Sequence, residues 1–303
     1  MNLGSVQRRS RSLPSGELCA PAVPRPPDES GPIPFEPEPS PVATLSEEDD
    51  AAAGGLVDAH AHLADPAFDA DRSEVLARAR AAGLGAVVCV GETLAEADAI
   101  LRLSRRHPML RPCAGLYPTL LEEAQAQEVL AFIERHRGAL AAIGEVGLDH
   151  WKVREPAELE RQERIFRAFV RASIRLDLPL NVHSRSAGRR AIEVLREEGA
   201  RRVLLHAFDG RASTAAPAVE AGYYFSVPPS IVRSPQKQKL VKRLPLERLL
   251  LETDSPVLGP DPVGRNEPAN VRVSARAIAG LHRVEERAVL EATTLNAHRL
   301  FRL

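Results

Sequence analysis

Six candidate metal ligands, His60, His62, Glu145, His183, His206 and Asp254, stand in five short stretches of the chain. These are Asp58-Ala59-His60-Ala61-His62, Gly144-Glu145-Val146-Gly147, Asn181-Val182-His183-Ser184-Arg185, His206-Ala207-Phe208 and Glu252-Thr253-Asp254. His60 and His62 are two apart, so on an extended strand both imidazoles point to the same side and can chelate one ion. Taken alone, His-x-His is a weak signal. With His183, His206, Glu145 and Asp254 added, core filling becomes a poor explanation, because buried His, Asp and Glu are costly unless paired or metal-bound. Three imidazoles satisfy one zinc ion, whereas four imidazoles and two carboxylates exceed a single ion's needs and point to two ions bridged by a carboxylate. The expected arrangement sets His60 and His62 with Glu145 and Asp254 around one ion, and His183 and His206 with Glu145 around the other. Paired divalent cations lower the pKa of a bound water from about 16 toward about 7 and leave residual positive charge that favours an anionic group, phosphate first. Asp254 is placed to take the proton from that water as general base, with Glu145 as the bridging catalytic carboxylate. Zinc suits the histidines, and the oxygen donors admit magnesium or manganese.

Neighbouring residues could serve a substrate. Arg185 follows His183 by two positions, where its planar fork could hold a phosphate or form a salt bridge on the rim. Tyr117, in Gly115-Leu116-Tyr117-Pro118, could stack on a base or pack beside the pocket. Arg265 and Asn266 are further rim candidates. Asp149 and Asp58 are assigned supporting or turn roles. Lys237, Lys239, Lys242 and Arg243 read as the solvated face of an outer helix. His107, His136, His282 and His298 fall in helical stretches, and His150, close after Glu145, stays open. No glycine-rich phosphate loop is present.

The elements that must carry these residues alternate. Short apolar runs at Leu56–Ala59, Ala86–Val90, Pro112–Leu116, Ala141–Val146, Leu180–His183, Val203–Ala207, Tyr223–Val227 and Leu249–Glu252 are separated by charged, Ala/Leu-rich segments such as Asp71–Ala82, Glu158–Leu176 and Ser186–Glu198. Apolar residues three and four apart in those segments predict helices. Eight strand-helix units describe an α/β fold, a single (β/α)8 TIM barrel, although an open doubly wound sheet leaves nearly the same pattern. The barrel is preferred because the candidate ligands close the runs, and the C-terminal strand ends of a barrel share one face.

Composition narrows the class. The chain has 303 residues, 44% hydrophobic and 27% charged, which excludes a fibrous or wholly disordered protein. The longest uncharged apolar stretch, Ala81–Gly91, is half the ~20 residues a membrane-spanning helix needs. Residues 1–54 hold ten of the 25 prolines and a net charge of −5, and they read as a disordered extension before a domain at 55–303 carrying +4. That mildly basic body tolerates a polyanionic substrate without the stripe of a dedicated nucleic-acid binder. Three scattered cysteines suit a reducing compartment, so a cytoplasmic or nuclear location is expected, with no obligate protein partner evident.

His60-Ala61-His62, Gly144-Glu145-Val146-Gly147-Leu148-Asp149, Asn181-Val182-His183-Ser184-Arg185 and Glu252-Thr253-Asp254-Ser255-Pro256, in that order, resemble the signatures of the TatD-type metal-dependent DNases of the amidohydrolase superfamily. The resemblance covers essentially residues 56–303. Within the family, His206-Ala207-Phe208-Asp209-Gly210, Pro228-Pro229-Ser230-Ile231-Val232-Arg233-Ser234 and Arg265-Asn266-Glu267-Pro268 are similar to the third TatD-domain-containing group of vertebrates. The resemblance implies a TIM barrel, two divalent metals, DNA phosphodiester hydrolysis, and metal ligands at His60, His62, Glu145, His183, His206 and Asp254. Two positions depart from the family: Tyr117 stands where a substrate-side His is usual, and His150 where Tyr or Phe is common. The rival activities are lactone, amide or phosphoester hydrolysis by the same paired ions, and a non-catalytic metal-binding scaffold. Amidohydrolases bridged by a carbamoylated lysine carry Lys on the fourth strand, and Glu145 takes that place here.

Overall fold

The computed structural model describes residues 55–303. The extension expected over residues 1–54 lies outside the described residues. From Leu56 onward strands and helices alternate: β1 (Leu56–Ala61), α1 (Arg72–Ala81), β2 (Leu84–Cys89), α2 (Leu94–Arg106), β3 (Leu110–Ala114), α3 (Glu123–His136), β4 (Ala142–Gly147), α4 (Pro156–Leu176) and β5 (Leu180–His183). The series continues with α5 (Gly188–Glu197), β6 (Val203–Leu205), α6 (Ala212–Glu220), β7 (Tyr224–Val227), α7 (Pro235–Val241), β8 (Leu249–Leu251), α8 (Val271–His282) and α9 (Glu286–Phe301).

The eight strands pair in parallel, in chain order from β1 to β8. The open doubly wound alternative is excluded because the first and last strands meet. Asp254 N–H donates to the His60 carbonyl at 2.8 Å, and His62 N–H donates to the Ser255 carbonyl at 2.8 Å. The seam of the barrel is therefore sewn by the segments that carry the candidate ligands.

Two apolar layers follow from strand alternation. Val57, Ala59, Ala86, Val88, Val90, Cys113, Ala142, Leu204 and Leu250 fill the barrel interior, where Ala297, Leu300 and Phe301 of α9 join them. The opposite faces, among them Leu56, Val87, Ile143, Val182, Leu205 and Leu251, pack beneath the helices. In α4, Gln162, Ile165, Phe166, Phe169, Val170 and Ser173 recur at helical spacing and are buried. Each fully buried Phe or Ile in such a face contributes about 1.5–3 kcal/mol. The expected strand bounds drift by at most two residues, and those of β5 hold. β3 begins at Leu110, two residues ahead of its expected start, because Arg111 interrupts the apolar run but not the pairing, which joins Leu110 to Val87 and Arg111 to Val88. β6 ends at Leu205, two residues early, where the chain turns with His206 and Ala207.

Candidate metal centre

Alternation alone, starting from the inward Val57, Ala59 and Ala142, would turn His60, His62 and Glu145 away from the barrel axis. Asp58 pairs with Val87 and Ala61 with Cys89, so β1 spends three residues against two on β2. In β4, Ile143 pairs with Leu180 and Val146 with Val182, the same extra residue. Each shift is a β-bulge, which re-aims the next side chain. Ile143 and Val146, three apart, thus both face the helices, and Glu145 between them turns inward. His60 is re-aimed in the same way. Close packing of β3 on β4 holds Glu145 there: a Cβ on Gly115 would stand 2.4 Å from the Glu145 carbonyl oxygen. At Gly147 (φ +150°) a Cβ would fall 2.0 Å from the His183 carbonyl oxygen.

All six predicted ligands meet at the C-terminal mouth. His60 Nε2 and His62 Nε2 are 3.2 Å apart. Asp254 Oδ1 lies 3.5 and 3.2 Å from them. Glu145 Oε2 lies 3.5 and 3.6 Å from the same two nitrogens. The other oxygen, Oε1, faces His183 Nδ1 at 2.7 Å and His206 Nε2 at 2.9 Å, and those nitrogens are 3.4 Å apart. Donors bound at about 2.0–2.1 Å in tetrahedral array stand about 3.3 Å from one another. The first group is spaced as donors around one cation would be, and the second is drawn closer by hydrogen bonds from His183 and His206 to Glu145; His60, His62 and Glu145 in the first and Glu145, His183 and His206 in the second are groups that could hold a metal ion.

Partners behind the rings decide which nitrogen faces the cluster. The Asn181 amide donates to the Ala59 carbonyl at 3.0 Å, so its oxygen is left to accept from His60 Nδ1 at 2.8 Å. Asp149 Oδ2 accepts a hydrogen bond from His183 Nε2 at 3.0 Å, turning Nδ1 inward. His206 Nδ1 is buried without a hydrogen-bond partner, with Glu252 Oε2 3.8 Å away. His62 Nδ1 has Glu92 Oε1 at 4.0 Å. Such backing groups fix the tautomer and raise ligand basicity. Asp58 accepts from the backbone N–H of His60 at 3.2 Å and of Thr253 at 2.9 Å, a supporting role.

Electrostatics show a cluster built around positive charge. Burial opposes ionisation of Glu145, yet His206, His183 and His60 hold its pKa well below the usual carboxylate range. Burial opposes charge on His60 too, but Glu145, Asp254 and Glu252 overcome it and raise its pKa to about 10. His183 rises to about 9, with Asp149 and Glu145 outweighing burial. His206 falls to about 4 through burial and the adjacent His60, whose ring stacks on it at 3.9 Å. Asp254 is lowered because His62, His60 and His206 outweigh its burial. The positive charge that protons place on His60 and His183 is charge that a bound divalent cation would supply.

The mouth opens into a cavity of about 610 Å³. Tyr117, Arg185, Glu92, Lys237, Asp209, Val257 and Leu258 line it beside the ligands. Tyr117 meets His183 edge-on at 5.2 Å, and burial together with Glu145 raises the pKa of its hydroxyl. Arg185 reaches the cavity and, among the described residues, makes no ion pair; its guanidinium lies 5.2 Å from the Trp151 ring. Arg265 does not line the cavity. Its fork is committed to Asp71 at 2.8 and 2.6 Å and lies over Phe68, so the expected substrate contact is replaced by a tie between the loop after β8 and α1. Asn266 is likewise no rim group: it is buried and donates to the carbonyls of Thr253 at 2.7 Å and Val257 at 2.8 Å. His150 is half-buried and outside the cavity lining, with its pKa lowered by burial.

Lys239, Lys242 and Arg243 are exposed, as a solvated face requires. Lys237 is the exception: it lines the cavity and donates from Nζ to the Ala207 carbonyl at 2.7 Å. Ala207 has φ 43°, a left-handed conformation that a non-glycine residue keeps only when held. Glu252 Oε1, accepting from Ala207 N–H at 2.8 Å, supplies the other hold. Sequence reasoning read Lys237 as solvated and gave no site role to Glu92 or Glu252. The strand-end rule that found Glu145 would have found Glu92, two residues beyond Val90. Burial and the neighbouring Glu145 raise Glu92 to about 7. Nothing local marks Lys237.

Residues 57–302 match the family model described as TatD related DNase. The human protein named Deoxyribonuclease TATDN3 is 47% identical over 263 residues, covering 83% of this chain and 96% of its own length. A Bacillus subtilis protein named as an uncharacterized metal-dependent hydrolase, YabD, is 32% identical, covering 82% of this chain and 99% of its own. The crystal structure of YjjV, a TatD homologue from Escherichia coli, superposes with a TM-score of 0.75 at 27% identity, covering 82% of this chain and 98% of that one. With the barrel, the mouth and this likeness together, the chain belongs to the TatD-related DNase family and is a metal-dependent hydrolase.

Proposed function

We propose that this hydrolase cleaves DNA phosphodiester bonds with two divalent cations held on either side of Glu145. The carrying observation is the division of the Glu145 oxygens, Oε2 toward His60 and His62 and Oε1 toward His183 and His206. The name of the human relative supports DNA as the substrate. Paired divalent cations supply, when bound, the charge that activates water at neutral pH and polarises a phosphoryl oxygen. Asp254, beside His62 at 3.2 Å and open to the cavity, takes the proton from the attacking water as general base. Arg185 and Lys237 carry positive charge into the same cavity and hold the phosphodiester anion, Arg185 by its planar fork.

The test is hydrolysis of end-labelled single- and double-stranded DNA by the full chain with Mg²⁺, Mn²⁺ or Zn²⁺, alongside metal content per chain. Cleavage lost in Asp254→Ala, with two ions per wild-type chain, is the expected result. Wild type that cleaves no DNA under any metal while hydrolysing a lactone, amide or phosphotriester would move the same site to another amidohydrolase reaction. Metal binding with no hydrolysis of any of these would leave a scaffold.

A further inference from the structure

The chain's single tryptophan, Trp151, is 52% exposed beside the mouth. Trp is enriched where a protein surface meets a partner, because its large apolar ring and indole N–H serve both kinds of contact. Its position is tied to the metal centre by one carboxylate. Asp149 Oδ2 accepts from the His183 ring N–H, while Oδ1 accepts from the N–H groups of Trp151 at 2.9 Å and Lys152 at 2.8 Å. A second tie runs from His150 N–H to the Arg185 carbonyl at 3.0 Å. The indole is thus in register with His183, although it makes no part of the cluster.

Two exposed guanidiniums accompany the ring, Arg185 at 5.2 Å and Arg154 at 5.7 Å from its centroid. Arg185 also lines the cavity. Resting on the proposed DNA hydrolysis, we infer that Trp151 is a stacking subsite for an unpaired nucleobase next to the scissile phosphate, and that Arg185 leaves the indole for that phosphate when the base arrives. The exchange is favourable in direction. Base-on-aromatic stacking is worth about 5- to 150-fold in affinity, against about 2- to 5-fold for an exposed cation–π contact. The displaced guanidinium gains a charged partner. A paired base inside a duplex has no free face for the indole, so the subsite selects frayed or single-stranded ends.

The test is binding of the metal-loaded full chain to a single-stranded oligodeoxythymidylate with hydrolysis-resistant phosphorothioate linkages. It is compared with the same oligomer lacking its terminal base and with a blunt duplex. Trp151 being the only indole, its emission reports this site alone; affinities of variants are read by anisotropy of a labelled oligomer. The expected results are quenching on binding, about tenfold tighter binding of the base-bearing oligomer than of the abasic one, loss of that preference in Trp151→Ala, and its partial return in Trp151→Phe. Equal affinity of wild type for the two oligomers, or a preference that survives in Trp151→Ala, overturns the subsite. The readout needs no turnover, so cleavage of DNA without base preference removes only the subsite, and absence of cleavage removes only the activity.

Discussion

His60 and Asn181, 121 residues apart in the chain, are joined by a buried 2.8 Å hydrogen bond that leaves His60 Nε2 free to face the cluster. Asn181 lies on β5 two residues before His183, so one strand supplies a candidate ligand on one side of Glu145 and the orienting partner of a ligand on the other. Replacing Asn181 by Ala removes the acceptor and frees the ring. Metal affinity on the His60 side should fall about 10- to 100-fold. At limiting metal, stoichiometry should drop from two ions to one, read by titration calorimetry or elemental analysis. Unchanged affinity for both ions would show that His60 needs no such partner.

Gly115 is required by the approach of β3 to β4. Gly115→Ala drives a methyl against the backbone of Glu145, where no flexible side chain can yield. Overpacking of this kind costs about 1–3 kcal/mol, and metal content should fall with it because Glu145 is displaced. Gly138→Ala, where nothing stands within 4 Å, is the control and should leave thermal unfolding nearly unchanged.

Glu163 on α4 accepts from Arg190 and Arg167, which lower its pKa from 4.5 to about 2 against partial burial. A depressed folded-state value means the ionised form is favoured by folding. The stability advantage of wild type over Glu163→Gln should therefore be complete above about pH 4.5 and shrink as pH falls toward about 2. Denaturant midpoints measured across that interval check it; an advantage independent of pH would mean the arginines act on Glu163 by packing alone.

Arg265 pairs with Asp71 rather than lining the cavity. Arg265→Ala should leave KM for DNA and metal content unchanged, while lowering thermal stability less than Gly115→Ala does. A raised KM would return Arg265 to the substrate.

Tyr117 meets His183 by its edge and faces the cavity without entering either donor group. Tyr117→His should raise turnover severalfold with metal stoichiometry unchanged. Altered stoichiometry would make position 117 part of the metal centre.

Much of this was legible in the sequence because ligand chemistry belongs to the side chain and strand ends are marked locally. Apolar runs closed by His, Glu or Asp point to both the barrel and its candidate ligands, and the six side chains lie together at the mouth. The runs left open whether the sheet closes; the hydrogen bonds joining Asp254 to His60 and His62 to Ser255 answer that, and they link residues nearly 200 positions apart. Only the tertiary structure decided which way His60 and Glu145 point, since each follows a bulge visible only in the pairing with a neighbouring strand. It also decided that Lys237 reaches the cavity while Arg265 turns to Asp71, and that Trp151 stands in register with His183. A long cationic side chain has many rotamers, and which partner it meets depends on elements far away in the chain. Residue type and strand position therefore carried the metal chemistry, and distant packing determined the cavity wall around it.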